Sequence, residues 1–139
     1  MFETVLFSID QSRESRQAAE TVANLVKIHN SRLVILSVVE THEEGEGEAA
    51  PTIERKSSPE AIAELLESAK ALFSQQGIEA ETIERQGKPA FTICDVADEI
   101  AADLIIMGCR GIGLTDEGAA DSVTNRVINL SPCPVLIVP

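Results

Sequence analysis

Uninterrupted apolar runs alternate along this chain with stretches whose apolar residues recur every three or four positions. Val5-Leu6-Phe7-Ser8-Ile9 reads as a strand, ended by the polar Asp10-Gln11-Ser12. From Ser12 to His29, Ala18, Val22, Leu25, Val26 and Ile28 mark a helix with one buried face, stopped at Asn30-Ser31. The run from Leu33 to Val39 is almost wholly apolar, which predicts a strand covered on both faces. Ser58-Pro59-Glu60 carries a cap, a first-turn proline and an early acid, the start of a helix whose face is Ile62, Leu65, Leu66, Ala69, Leu72 and Phe73. Gly77 supplies its left-handed stop. A third strand is expected over Glu79 to Arg85. Gly87-Lys88-Pro89 then turns into a helix carrying Ile93, Val96, Ala97, Ile100 and Ala101. Leu104 to Met107 is a short buried strand. Ser122 to Asn129 is a helix with Val123, Val127 and Leu130 inward, and Val135-Leu136-Ile137-Val138 is the last strand.

Strands alternating with amphipathic helices imply an α/β fold, a doubly wound five-stranded parallel sheet with helices on both faces. Right-handed crossovers place a ligand crevice at the carboxyl ends of the strands, where the order reverses. Five strands fit either the flavodoxin-like order 2-1-3-4-5 or the Rossmann-like order 3-2-1-4-5. Residues 40 to 58 break the pattern. Glu40 to Glu48 is acidic and glycine-bearing without periodicity, so 41–57 is expected to be a mobile loop.

Composition narrows the function. At 139 residues the chain is read as one domain, 1–139. Four Phe, no Trp and no Tyr leave the core to aliphatic side chains. A net charge of −12 argues against nucleic acid and anionic membranes, both of which need basic surface. No apolar stretch approaches the roughly 20 residues of a membrane span, and, with Met1 leading straight into a strand-like run, no signal peptide is expected. Cys94, Cys109 and Cys133 have neither metal nor redox spacing, and the expected setting is a reducing cytoplasm.

The chemistry concentrates after the fourth strand. Gly108-Cys109-Arg110-Gly111 follows Leu104-Ile105-Ile106-Met107, and Asp121-Ser122 stands ten residues beyond Gly111. A buried strand entering a glycine-bearing loop and then a helix is a phosphate-holding arrangement, because bare backbone N–H groups and a helix N-terminus favour an anion. With Asp10 after the first strand, Gly87-Lys88-Pro89-Ala90, Ala102 to Gly108, and the ending Ser131-Pro132-Cys133-Pro134-Val135-Leu136-Ile137-Val138, this spacing resembles the universal stress protein family over essentially the whole chain.

The resemblance implies strand order 3-2-1-4-5 and an adenine nucleotide, ATP or AMP, at the strand ends. It implicates Ser8, Ile9 and Asp10, then Val39, then Met107, Gly108 and Gly111, and finally Ser122 and Val123. A carboxylate at Asp10 can accept from an adenine amino group, and Ser122 can donate to a phosphate. Each position also has a plainer reading: Asp10 and Ser122 as helix-start residues, Gly108 and Gly111 as turn residues, Val39 and Met107 as core.

Asp121 departs from the family's glycine motif, whose third glycine it replaces. Two unit charges about 4 Å apart repel by about 4 kcal/mol at an effective dielectric near 20, so its carboxylate opposes a phosphate unless Mg²⁺ lies between them. Arg110 beside Cys109 would favour a thiolate, although a plain loop residue is the simpler reading. His29 and His42 have no nucleophile or metal partner by spacing, so no catalytic residue and no metal ligand is assigned. The expected protein is a cytosolic homodimeric stress-response protein that binds an adenine nucleotide and pairs through Val135 to Val138, whose apolar edge demands cover. The alternative is a member that no longer binds nucleotide and acts through protein partners. Slow ATP hydrolysis is the only enzymatic reading kept. A phosphoacceptor receiver domain would need acids that Asp10-Gln11 and Glu84-Arg85 do not supply.

Overall fold

In the computed structural model, residues 2–10, 13–40, 59–108 and 123–139 are described. The elements are β1 (Thr4–Ser8), α1 (Arg13–His29), β2 (Arg32–Glu40), α2 (Pro59–Gln75), β3 (Ala80–Gly87), α3 (Pro89–Glu99), β4 (Leu104–Gly108), α4 (Val123–Leu130) and β5 (Val135–Val138). All strand pairs are parallel and the order is β3-β2-β1-β4-β5. Of the two orders open from the pattern, this is the one the family resemblance implied. The expected loop at 41–57 lies outside the described residues.

Period-two alternation divides the core. Val5, Phe7, Leu33, Ile35, Leu104 and Ile106 point to one face, where α1 and α2 cover them. Leu6, Val34, Leu36, Ile105 and Met107 point to the other, under α3 and α4. Val5, Leu6, Leu33, Val34, Ile35, Leu36, Ile105 and Ile106 are all fully buried, which is why these strands read as unbroken apolar runs. Phe7 and Phe73 meet edge to face at 6.1 Å between ring centroids.

Three helix ends use a left-handed residue to turn the chain: Asn30 at φ 53°, Gly77 at φ 79° and Ala101 at φ 53°. At each, an amide just beyond bonds back into the last turn: Ser31 to Val26, Ile78 to Phe73 and Ala102 to Ala97. The boundary at Gly87 differs from expectation. β3 runs two residues past Arg85, and Gly87, at φ 147°, ends the strand directly before Lys88 and the first-turn Pro89.

Several apolar residues expected to face inward do not. Ile28 is 78% exposed, Leu130 46%, Leu72 44% and Val123 37%. Of the three expected inward positions on α4, only Val127 is buried. Helical spacing identifies a stripe but not how far along the helix the sheet extends. Seventeen residues of α1 span about 25 Å, against about 17 Å for the five of β1. Its last turn therefore overhangs.

Candidate functional site

The carboxyl end of β1 lies between those of its two neighbours. Ser8 is level with Leu36 on β2 and with Met107 on β4. The ladder outlasts the strand, for the Ile9 amide donates to the Leu36 carbonyl at 2.9 Å. The buried Ser37 hydroxyl then donates to the Ile9 carbonyl at 3.2 Å. Ile9 is held from both sides, and the next residue, Asp10, is delivered at a set height above the sheet.

Asp10 is exposed, but it does not swing loose. The Ser15 hydroxyl accepts the Asp10 amide at 3.0 Å and donates to Asp10 Oδ1 at 2.9 Å. Ser15 belongs to the first turn of α1 and is only 6% exposed. One buried hydroxyl thus ties both the backbone and the carboxylate of Asp10 to the helix start. A charge-assisted bond of this kind is stronger than a neutral one. Sequence reasoning did not single out Ser15. The available signal was a serine among the buried positions of α1, five residues after an aspartate at a strand end.

Gly108 ends β4 beside this loop. A Cβ there would lie 2.6 Å from the Glu14 carbonyl carbon, 2.7 Å from its oxygen and 2.8 Å from the Ser15 nitrogen. These are backbone atoms and cannot rotate away. The glycine lets α1 begin hard against the end of β4, which is what brings Ser15 to Asp10. Its packing role therefore stands beside the anion-approach role read from the motif.

The remaining expected residues divide by face. Val39, 8% exposed, lies on the side of α1 and α2 with Ile9. Met107, 6% exposed, lies on the side of α3 and α4. Both belong to the core, as their plainer reading held. Val123 opens α4, which packs beside α3. Gly111, Asp121, Ser122 and Cys109 lie outside the described residues. The structure thus brings Ser8, Ile9, Asp10, Met107 and Gly108 together at the ends of two adjacent strands, with Val39 on β2 beyond them.

A cleft of about 550 Å³ opens beside Ile9 and Asp10, between the first turns of α1 and the length of α2. Its floor is the Phe7–Phe73 pair, its walls carry Ala19, Leu65 and Ala69, and its mouth carries Asp10, Arg16 and Glu64. That volume falls within the range of small-molecule sites, roughly 300–1,000 Å³, and the apolar interior with a polar mouth matches their usual chemistry. Burial pushes the thiols of Cys94 and Cys133 above the ordinary cysteine range, which disfavours the nucleophilic thiolate at both. No three or more His, Cys, Asp or Glu side chains among the described residues are grouped to hold a metal ion. No described helix is long and apolar enough to cross a membrane.

This geometry has close counterparts. The family model described as the universal stress protein family matches residues 1–139. A universal stress protein of Synechocystis is 64% identical over 139 residues, covering 100% of this chain and 87% of its own. A universal stress protein solved in complex with cAMP superposes with a TM-score of 0.78 at 23% identity, covering 99% of this chain and 97% of that one. A family protein from Arabidopsis thaliana with AMP bound gives 0.72 at 20% identity, over 98% and 90%. At those identities the two structures speak for the fold, while the family match and the Synechocystis relative speak for descent. This chain belongs to the universal stress protein family.

Proposed function

We propose that this protein binds an adenine nucleotide at the carboxyl ends of β1, β2 and β4 and acts in the cytoplasm as a stress-response protein. The observation that carries the reading is Asp10. Its carboxylate is exposed at a strand end, braced by Ser15 and placed at the mouth of an apolar cleft. A carboxylate so held accepts from the exocyclic amine of adenine and repels the carbonyl edge of a 6-oxopurine. Family proteins of the same fold with cAMP, dAMP or AMP bound support the ligand class. Ser8, Ile9 and Val39 are assigned to the base end. Met107, Gly108, Gly111, Ser122 and Val123 are assigned to ribose and phosphate. ATP with Mg²⁺ is kept beside AMP, because Asp121 makes a bare triphosphate costly unless a cation intervenes.

The test is mass spectrometry of nucleotide retained by the purified protein, followed by calorimetric titration of AMP and ATP with Mg²⁺ or chelator. Saturable binding that Asp10→Ala abolishes is the expected result. Absence of binding by any adenine compound would instead favour the second reading, a member acting through protein partners, which Asp121 in the glycine motif motivates.

The assembly belongs to the same proposal. β5 is an edge strand of four apolar residues, each only half-buried. A second copy pairing along it would cover that edge. Sedimentation should give a dimer, and Leu136→Lys should give a monomer.

A further inference from the structure

The cleft is larger than the base end of a nucleotide needs, and its position says what fills the remainder. Ile9 and Asp10 belong both to the candidate base site and to the cleft lining, whereas Met107 and Gly108, at the phosphate end, do not line it. The cleft therefore leaves the site at the point where Asp10 would meet the exocyclic amine, and runs between α1 and α2 to Phe73. Among the described lining residues its interior is Phe7, Ala19, Leu65, Ala69 and Phe73, with the hydroxyls of Ser15 and Ser68 as the uncharged polar groups beside them. Among the described residues at the mouth, the carboxylates of Asp10 and Glu64 outnumber the guanidinium of Arg16, which disfavours an anionic group entering.

We infer that the site is selective for adenines whose exocyclic amine carries a neutral apolar substituent, such as an aryl or branched alkyl group. The inference rests on adenine binding at Asp10. A secondary amine of this kind keeps one N–H, so the bond to the Asp10 carboxylate survives while the substituent enters the cleft. A tertiary amine has no N–H and loses that bond. Two neutral side groups of similar apolarity are thereby told apart by one hydrogen. The aromatic pair on the floor offers an edge and a face to an aryl substituent, an arrangement favourable to stacked and T-shaped contacts alike.

The full chain is titrated with adenosine, 6-benzylaminopurine riboside and 6-dimethylaminopurine riboside. Burying most of a phenyl ring should tighten the benzylamino compound about tenfold over adenosine, and the dimethylamino compound should bind more weakly than adenosine. Ser68→Phe, at an exposed wall position, and Ala69→Leu, on the inner wall, should each remove the benzyl advantage and leave adenosine unchanged. Two separate variants guard against one that disturbs folding, which circular dichroism would reveal. Adenosine binding with no gain from the benzyl group would overturn the inference while leaving the nucleotide reading intact. Failure of all three ribosides to bind would overturn the inference, and the nucleotide reading falls with it when AMP and ATP also fail.

Discussion

The two ends of β1 are finished by the same device and serve different ends. At the amino end, Asp103 Oδ2 accepts the amides of Glu3 at 3.0 Å and Thr4 at 2.9 Å, and the Asp103 amide returns a bond to the Thr4 carbonyl at 2.8 Å. The carboxylate there is spent on the protein's own backbone. At the carboxyl end the roles are reversed. A buried serine accepts from the backbone of Asp10 and donates to its carboxylate, which lies beside a cleft. Both ends satisfy backbone amides that the sheet leaves over. Asp10, unlike Asp103, lines the apolar cleft, and that difference, more than the presence of an aspartate at each end, points to the carboxyl end as the candidate site.

The largest effect should come from crowding the carboxyl end. Gly108→Ala puts a methyl group into the backbone of Glu14 and Ser15. It should cost about 3 kcal/mol, the upper end of ordinary overpacking, measured by urea unfolding. It should also weaken adenosine, because α1 must retreat and take Ser15 with it. A variant as stable as the wild type would show that the start of α1 yields freely.

Asp103→Ala should cost about 1–2 kcal/mol, comparable to losing a helix cap, and leave adenosine affinity unaltered. A matching loss of affinity would erase the distinction between the two ends. Ser15→Ala should cost about 1 kcal/mol but reduce the preference for adenosine over inosine severalfold, with Ser15→Thr restoring part of it. That preference is a readout a purely structural serine would not move.

The smallest effect is expected at the amino end of β2. Arg32 Nη2 donates to Glu81 Oε1 at 2.9 Å across the β2–β3 pair, with both side chains about half exposed. The pairing holds the Glu81 carboxyl below its usual range. A depressed carboxyl contributes stability above its unfolded pKa and loses it as pH falls through the folded one, so any contribution should fade on acidification. Exposed pairs contribute little, so Arg32→Met should leave the urea midpoint at neutral pH within error.

How much of this was legible follows from which interactions are local. The strand cores at Val5 to Phe7, Leu33 to Leu36 and Leu104 to Ile106 declared themselves, because burial on both faces leaves an unbroken apolar run. Gly77 and Asn30 announced helix ends, since a left-handed turn selects its residue type locally. Family membership was legible too, in the spacing from Gly108 to Ser122 and in the ending from Ser131 to Val138. Burial at helix ends was not, and Ile28 and Leu130 show why. Spacing gives the stripe, but whether the sheet reaches under a given turn depends on strand length and register elsewhere in the chain.

The chain alone therefore determined the element order, the aliphatic two-sided core and the place of Asp10 after the first strand, all of them consequences of periodicity and residue chemistry within short windows. Tertiary structure decided the rest. It settled on β3-β2-β1-β4-β5, which periodicity left open and the family resemblance had implied, and gave Gly108 a packing reason in the backbone of α1. It brought Ser15 under Asp10 and left an apolar cleft between α1 and α2. Apart from the Ser15–Asp10 contact, which spans five residues, each of these depends on two segments distant in sequence arriving at one distance. That distance is set by how whole helices seat on the sheet, which no local pattern encodes.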